Sequence, residues 1–250
     1  MNDQSPIVPA RQPVFNLPAV VIALVALLIG IQAAREYLIQ PATDAEVLFT
    51  FAFIPARITD AAALGAVLPG GVAADVWMFL TYAFLHADWS HVAFNCLWLA
   101  AFGSPLAWRL GPVRFLVFSA AGAVGGALLH LALHSSDLTP LIGASAAVSA
   151  HMAGAARFVF VPGGPLGGGH PGPRAYSRPA LHIADLLRER RVLVFLAAWF
   201  GVNLVFGIFG GQTGLASGAI AWEAHIGGFL VGLLAFPLFD PVPPQSRRVD

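Results

Sequence analysis

The chain has 250 residues, 58% of them hydrophobic and 10% charged, with a formal net charge of zero and a mean hydropathy of +0.76. A soluble domain carries roughly 25% charged residues, so the charges here are too few to cover a water-facing surface, and most of the chain must face lipid. The zero net charge excludes nucleic acid as a partner, and the single cysteine, Cys96, excludes an intramolecular disulfide and a cysteine-rich metal centre.

In chain order, Met1–Asn16 is polar, with Arg11 and the prolines Pro6, Pro9 and Pro13, and is expected to be a cytoplasmic tail (residues 1–16). The apolar run Leu17–Ala34 matches the ~20 residues that a bilayer core requires. No small-x-small cleavage site followed by a polar mature domain accompanies it, so it reads as a retained span. A long segment then mixes aromatic and acidic residues (36–89) and is expected to lie against the outer membrane surface. Five further apolar runs follow: Ser90–Leu106, Phe115–Leu133, Leu141–Ala156, Val192–Phe209 and Ala224–Phe239. Backbone groups cannot go unpaired in hydrocarbon, so these six runs predict helices. The fold class is therefore all-α, a polytopic membrane protein of six transmembrane helices over 17–239, closed by a cytoplasmic tail at 240–250.

The arginines orient the predicted bundle. With the N-terminus cytoplasmic, inner segments hold Arg11, Arg109, Arg114, Arg157, Arg174, Arg178, Arg188, Arg190, Arg191, Arg247 and Arg248, and outer segments hold only Arg35 and Arg57. This is the positive-inside pattern. The Gly-, Pro- and Arg-rich cytoplasmic loop 157–191 contains "VPGGPLGGGHPGPRAYSRP" and is expected to be flexible, with His170 solvated. Four-residue glycine spacings occur at Gly122/Gly126 in the third span and Gly228/Gly232 in the sixth; glycine is common in this chain, and close helix approach is expected for the sixth, where Gly227, Gly228 and Gly232 crowd after His225.

Ionisable and polar groups inside spans are costly and point to function. His91 and Asn95 are four apart and share one helix face, where both can donate hydrogen bonds to a transient negative oxygen. Ser145 follows Gly143 near the outer end of the fourth span. His225 stands near the outer end of the sixth, where it is a candidate base to activate a serine. Glu223 is expected to be an interfacial anchor. Because no acid lies within an apolar run, the pair reads as a dyad. His130, His134 and His151 read as packing residues.

These residues resemble the rhomboid family of intramembrane serine proteases. The resemblance covers roughly Trp77 to Leu233. It rests on His86, His91 and Asn95 in the second span, Gly143 and Ser145 in the fourth, and Ala224, His225, Gly228 and Gly232 in the sixth. It implies a Ser145–His225 dyad and an oxyanion hole from His91, Asn95 and the Ser145 backbone N–H. Peptide hydrolysis would then occur within transmembrane segments of membrane-protein substrates. His86 and Trp77 are possible lining residues. Four positions depart from the family pattern: Ala146 where glycine usually follows the serine, Met78 in place of an arginine after Trp77, Ala107 in place of an acid, and Ser149 in place of an aromatic residue.

No cofactor and no metal is expected: there is no H-E-x-x-H motif for a zinc protease and no pair of intramembrane aspartates. The alternative from another class is an inactive relative that binds and escorts transmembrane clients. The expected location is a bacterial inner membrane, with both termini cytoplasmic and lipid as the only other partner.

Overall fold

The computed structural model describes residues 17–60, 64, 67–168, 174–213 and 221–243, with backbone alone over 203–213. The predicted tail 1–16, most of the tail 240–250 and His170 lie outside the described residues. The described elements are helical: α1 Ala19–Tyr37, α2 Pro41–Phe51, α3 Ala56–Thr59, α4 Gly71–Thr81, α5 Trp89–Trp98, α6 Ser104–Leu110, α7 Pro112–Leu133, α8 Ser145–Ala156, α9 Ile183–Leu186, α10 Arg190–Thr213 and α11 Trp222–Phe239. Among them α1, α7 and α11 are long and apolar enough to cross a membrane. They expose apolar side chains outward, Ile22 and Val117 at 53% and Leu234 at 61%.

The fifth predicted span falls on the continuous helix α10, and the second and fourth take less regular forms. The second is one run, Trp89–Leu110, in which a wide π turn at Leu99–Gly103 separates α5 from α6. Pro105 supplies no N–H to the ladder and crowds the preceding turn, which accounts for the widening. Asp88 starts this run by accepting the His91 N–H on Oδ1 at 2.8 Å.

The fourth span begins at Ser145, four residues later than predicted. Leu141 is held extended by a two-hydrogen-bond bridge to Phe53, and Gly143 has φ +117, which breaks helical continuity. The resulting α8 has twelve residues, all buried except Ser145. It is the central helix, wrapped by α7, α11 and the Trp89–Leu110 run.

Small residues allow that wrapping. A methyl group on Gly228 would overlap the carbonyl of Ala146, and one on Gly232 would overlap the carbonyl of Ala150, so α11 meets α8 backbone to backbone. On the other side of α8, a methyl on Gly122 would come within 2.5 Å of Ala150 Cβ, and one on Gly126 would overlap the Ala146 methyl. Gly227 lies equally close to the carbonyl of Gly125, which closes a triangle of α7, α8 and α11. Both glycine spacings therefore mark actual contacts, and dispersion over these interlocked surfaces is what such packing supplies in lipid.

Buried arginines tie down both ends. At one end Arg57, 1% exposed, bonds Asp75 Oδ1 at 2.6 Å and the carbonyls of Phe49, Pro69 and Gly71. These bonds gather α2, α3 and the start of α4 into one unit, while Met78, fully buried, fills its core. On the opposite side Arg109 grips Asp240 through Nε and Nη2 at 2.9 and 2.8 Å and also donates to the carbonyls of Tyr176 and Arg178. Arg157 donates to the carbonyls of Leu181 and Leu233.

The predicted flexible loop is correspondingly ordered in its described parts. Its carbonyls are the acceptors for two buried guanidinium groups. Its glycines also let the backbone fold onto itself: a methyl on Gly164 would come 2.5 Å from the carbonyl of Phe158, and Leu166 N–H bonds Val159 O at 2.7 Å.

The helix triangle generates a contrast between two glycines. Gly228→Ala should lower the thermal unfolding temperature by an amount corresponding to overpacking, about 1–3 kcal/mol. Gly30→Ala, where a methyl would meet nothing within 4 Å, should leave the temperature unchanged or slightly higher. Thermal unfolding of both variants in one detergent checks the pair.

Candidate active site

The site forms where α8 begins beside the first turn of α11. Ser145 is the first residue of α8, so its backbone N–H belongs to the first turn, which has no intrahelical acceptor. His225 is the fourth residue of α11. The glycine contacts one and two turns further along set the helices close enough that His225 Nε2 lies 2.8 Å from Ser145 Oγ, a hydrogen bond across 80 residues of sequence.

Three groups hold the turn before Ser145. Gly143 donates its N–H to the carbonyl of Tyr82 at 3.0 Å, and Tyr82, buried, anchors its own hydroxyl on the carbonyl of Ala123 at 2.7 Å. Ala144 N–H points to His86 Nε2 at 3.4 Å. His86 is buried, and this burial, with His91 next in weight, pushes its pKa down to about 3. A neutral imidazole is what can accept that N–H. His86 therefore supports the backbone beside Ser145, and Arg35 fixes its position in turn by donating to its carbonyl at 2.6 Å.

His91 stands over the same turn. A methyl on Gly143 would come 2.7 Å from His91 Nε2, so glycine is required there for space as well as for its positive φ. Ala87 N–H lies 3.4 Å from His91 Nδ1. With Nδ1 accepting, the proton sits on Nε2, the nitrogen that faces the Gly143–Ser145 turn. Asn95, one turn further along α5, is buried and donates one amide hydrogen to the His91 carbonyl at 3.1 Å. The amide carries a second donor hydrogen.

Trp77 is held elsewhere. Its indole N–H donates to the carbonyl of Thr50 at 2.9 Å and its ring packs on Phe51 at 6.0 Å, inside the 36–89 segment. Ala146 does not crowd Ser145 either: its methyl is seated against Gly126 of α7. Ser149 turns its hydroxyl back to the carbonyl of Ser145 at 2.8 Å. His151 is a buried packing residue, as expected, stacked on Phe115 at 4.8 Å with Nε2 2.7 Å from Ser119 Oγ.

Glu223, expected as an interfacial anchor, is turned into the protein. It is 5% exposed, and its Oε1 lies 3.2 Å from His130 Nδ1 and 2.8 Å from His134 Nε2. Sequence reasoning gave no place in the site to Tyr82, and no local pattern marks a tyrosine whose backbone carbonyl does the work. The His130–His134 pair did carry a signal in its four-residue spacing.

Comparison with known proteins points one way. A family profile described as the Rhomboid domain matches residues 73–240. Rhomboid-related protein 3 of Homo sapiens is 39% identical over 85 residues, 32% of this chain and 20% of that protein. Rhomboid protease AarA of Providencia stuartii is 25% identical over 186 residues, 69% of this chain and 59% of that protein. The chain thus matches a fifth and about three fifths of the lengths of these relatives.

The seating of Ala146 against Gly126 can be tested by exchange. Ala146→Gly should cost about 1 kcal/mol or a little more, from helix propensity and the lost contact. Gly126→Ala should cost about 1–3 kcal/mol by overpacking. The double variant should lose less than the sum, with a coupling of about 0.5–3 kcal/mol. Thermal unfolding of the four chains measures it.

Proposed function

The chain belongs to the rhomboid family, and from that premise we propose that this integral membrane protein is a serine endopeptidase that cleaves transmembrane segments of membrane-protein substrates through a dyad of Ser145 and His225. The observation that carries the reading is the 2.8 Å contact between Ser145 Oγ and His225 Nε2. A serine hydroxyl is a weak nucleophile until an adjacent base takes its proton. With the imidazole proton on Nδ1, Ser145 donates to Nε2. As Oγ attacks the peptide carbonyl carbon, the proton passes to Nε2 and negative charge collects on the carbonyl oxygen. Collapse of this intermediate then sends the same proton to the leaving amine.

The developing oxyanion has donors at hand. His91 Nε2–H, the second amide hydrogen of Asn95 and the Ser145 N–H at the positive end of α8 are the proposed hole, a preorganised set of the kind that stabilises such charge best in a water-poor site. Gly143, Tyr82 and His86 position the turn and take no part in the chemistry.

We extend the proposal to topology. The Trp89–Leu110 run, α8 and α10 serve as the second, fourth and fifth of six spans, with 36–89 outside and 157–191 inside. Residues 1–16 and 240–250 form cytoplasmic tails, as the arginine distribution favours. The designation of the Providencia stuartii relative as a protease supports the catalytic reading. The contact lies at the first turn of α8, with His91 and Asn95 beside it as donors, and this combination favours proteolysis over a client-escorting protein without activity.

Ser145→Ala and His225→Ala should each abolish cleavage of a single-span reporter in membranes, and the double variant should be no worse, as expected for groups acting as one unit. His91→Ala and Asn95→Ala should each reduce turnover by about 10²–10³-fold while the protein stays folded. Substantial cleavage by either dyad variant would remove the assignment.

A further inference from the structure

A second cluster of chemistry-bearing side chains lies two residues before His225 and plays no part in the proposed reaction. His130 and His134 are four apart at the end of α7, so both imidazoles leave one face, with ring centroids 5.0 Å apart. The first turn of α11 brings Glu223 to them across 93 residues of sequence, its Oε1 3.2 Å from His130 Nδ1 and 2.8 Å from His134 Nε2. The three ligand atoms lie within 4.8 Å of one another.

Tetrahedral zinc, with metal–ligand bonds of about 2.0–2.2 Å, sets neighbouring ligand atoms roughly 3.3–3.6 Å apart. The two distances to Glu223 are a little short of that spacing and the two imidazole nitrogens lie within 4.8 Å of each other, so small side-chain rotations bring the three atoms onto it. A second observation points to a missing ligand. Glu223 Oε2 is buried without a hydrogen-bond partner, although the residue is only 5% exposed. A buried carboxylate oxygen with no donor is costly, and a cation on the carboxylate relieves that cost. Access is open as well, since the His134 side chain is 45% exposed.

We propose that His130, His134 and Glu223 form a binding site for one divalent transition-metal cation of the zinc class, with the fourth position open to water. Two imidazoles and one carboxylate suit zinc and its neighbours better than calcium or magnesium, which take oxygen ligands. The sequence expectation of no metal came from the lack of a contiguous zinc motif, whereas these ligands come from two helices joined only by the fold. Bound metal ties the end of α7 to the start of α11. The site stands apart from the proteolytic reading, because its occupancy is measured without substrate.

The test uses the full chain in detergent, stripped with chelator and titrated with Co²⁺ as the probe, followed by visible absorption and by Zn²⁺ competition. One equivalent should give the bands of tetrahedral Co²⁺, and Zn²⁺ should bleach them. His134→Ala, which removes an exposed side chain, should weaken binding at least about tenfold, and Glu223→Gln should do the same. His170→Ala and His182→Ala should bind as the unmodified chain does. Zn²⁺ should raise the thermal unfolding temperature of the unmodified chain and not that of His134→Ala. Absence of the bands in the unmodified chain overturns the proposal. So does undiminished binding by a folded His134→Ala chain, which would place the cation on other imidazoles such as His86 and His91.

Discussion

The backbone-to-backbone approach of α11 and α8 is the constraint on which the rest of the molecule depends. Carbonyls of Ala146 and Ala150 occupy the space that side chains at Gly228 and Gly232 would need. Lipid gives no hydrophobic drive for helices to associate, so close packing of small residues has to supply it. The same approach sets Ser145 and His225 at 2.8 Å, one turn from the tightest contact. A packing decision and the proposed chemistry therefore share a single origin. Any side chain that separates the helices also separates the pair.

Around this triangle, buried arginines do what a sheet or a disulfide does in other small folds. Arg57 collects the 36–89 segment and Arg109 and Arg157 collect the opposite end, each by donating to several backbone carbonyls at helix ends and in loops. The planar guanidinium offers five donors from one side chain, so it can satisfy several such carbonyls at once. A buried arginine needs those acceptors as much as the loops need a donor. The described parts of the glycine- and proline-rich segment 157–191 are hydrogen-bonded in this way. Met78, at the position where the family pattern has an arginine, fills the core of the 36–89 segment, whose backbone carbonyls are served by Arg57.

Much of the architecture was legible in sequence because membrane helices announce themselves by length and apolarity, and three of the described helices meet both conditions. The glycine spacings at 122/126 and 228/232 were legible too, since only small residues allow such contact. The late start of α8 was not: it depends on a bridge between Phe53 and Leu141, a pairing of segments far apart in the chain. The placement of residues 174–181 was hidden for the same reason, because the donors to their carbonyls are Arg109 and Arg157. Within the site, Ser145, His225, His91 and Asn95 could be singled out as polar groups in apolar runs. Trp77 could not be placed by the same reasoning, and its indole N–H is bonded to the carbonyl of Thr50 in α2. The partners of Glu223 were not legible, because sequence cannot reveal that two imidazoles from another part of the chain face it.

The most direct test of the central claim, that helix packing delivers an activated serine, is covalent labelling of the intact chain with a fluorophosphonate, followed by peptide mapping. Only a serine whose proton is taken by a base reacts readily. The account predicts one label, on Ser145, in the unmodified chain and none in the His225→Ala chain. Labelling that persists at Ser145 without His225, or an unmodified chain that is folded and takes no label, would contradict it.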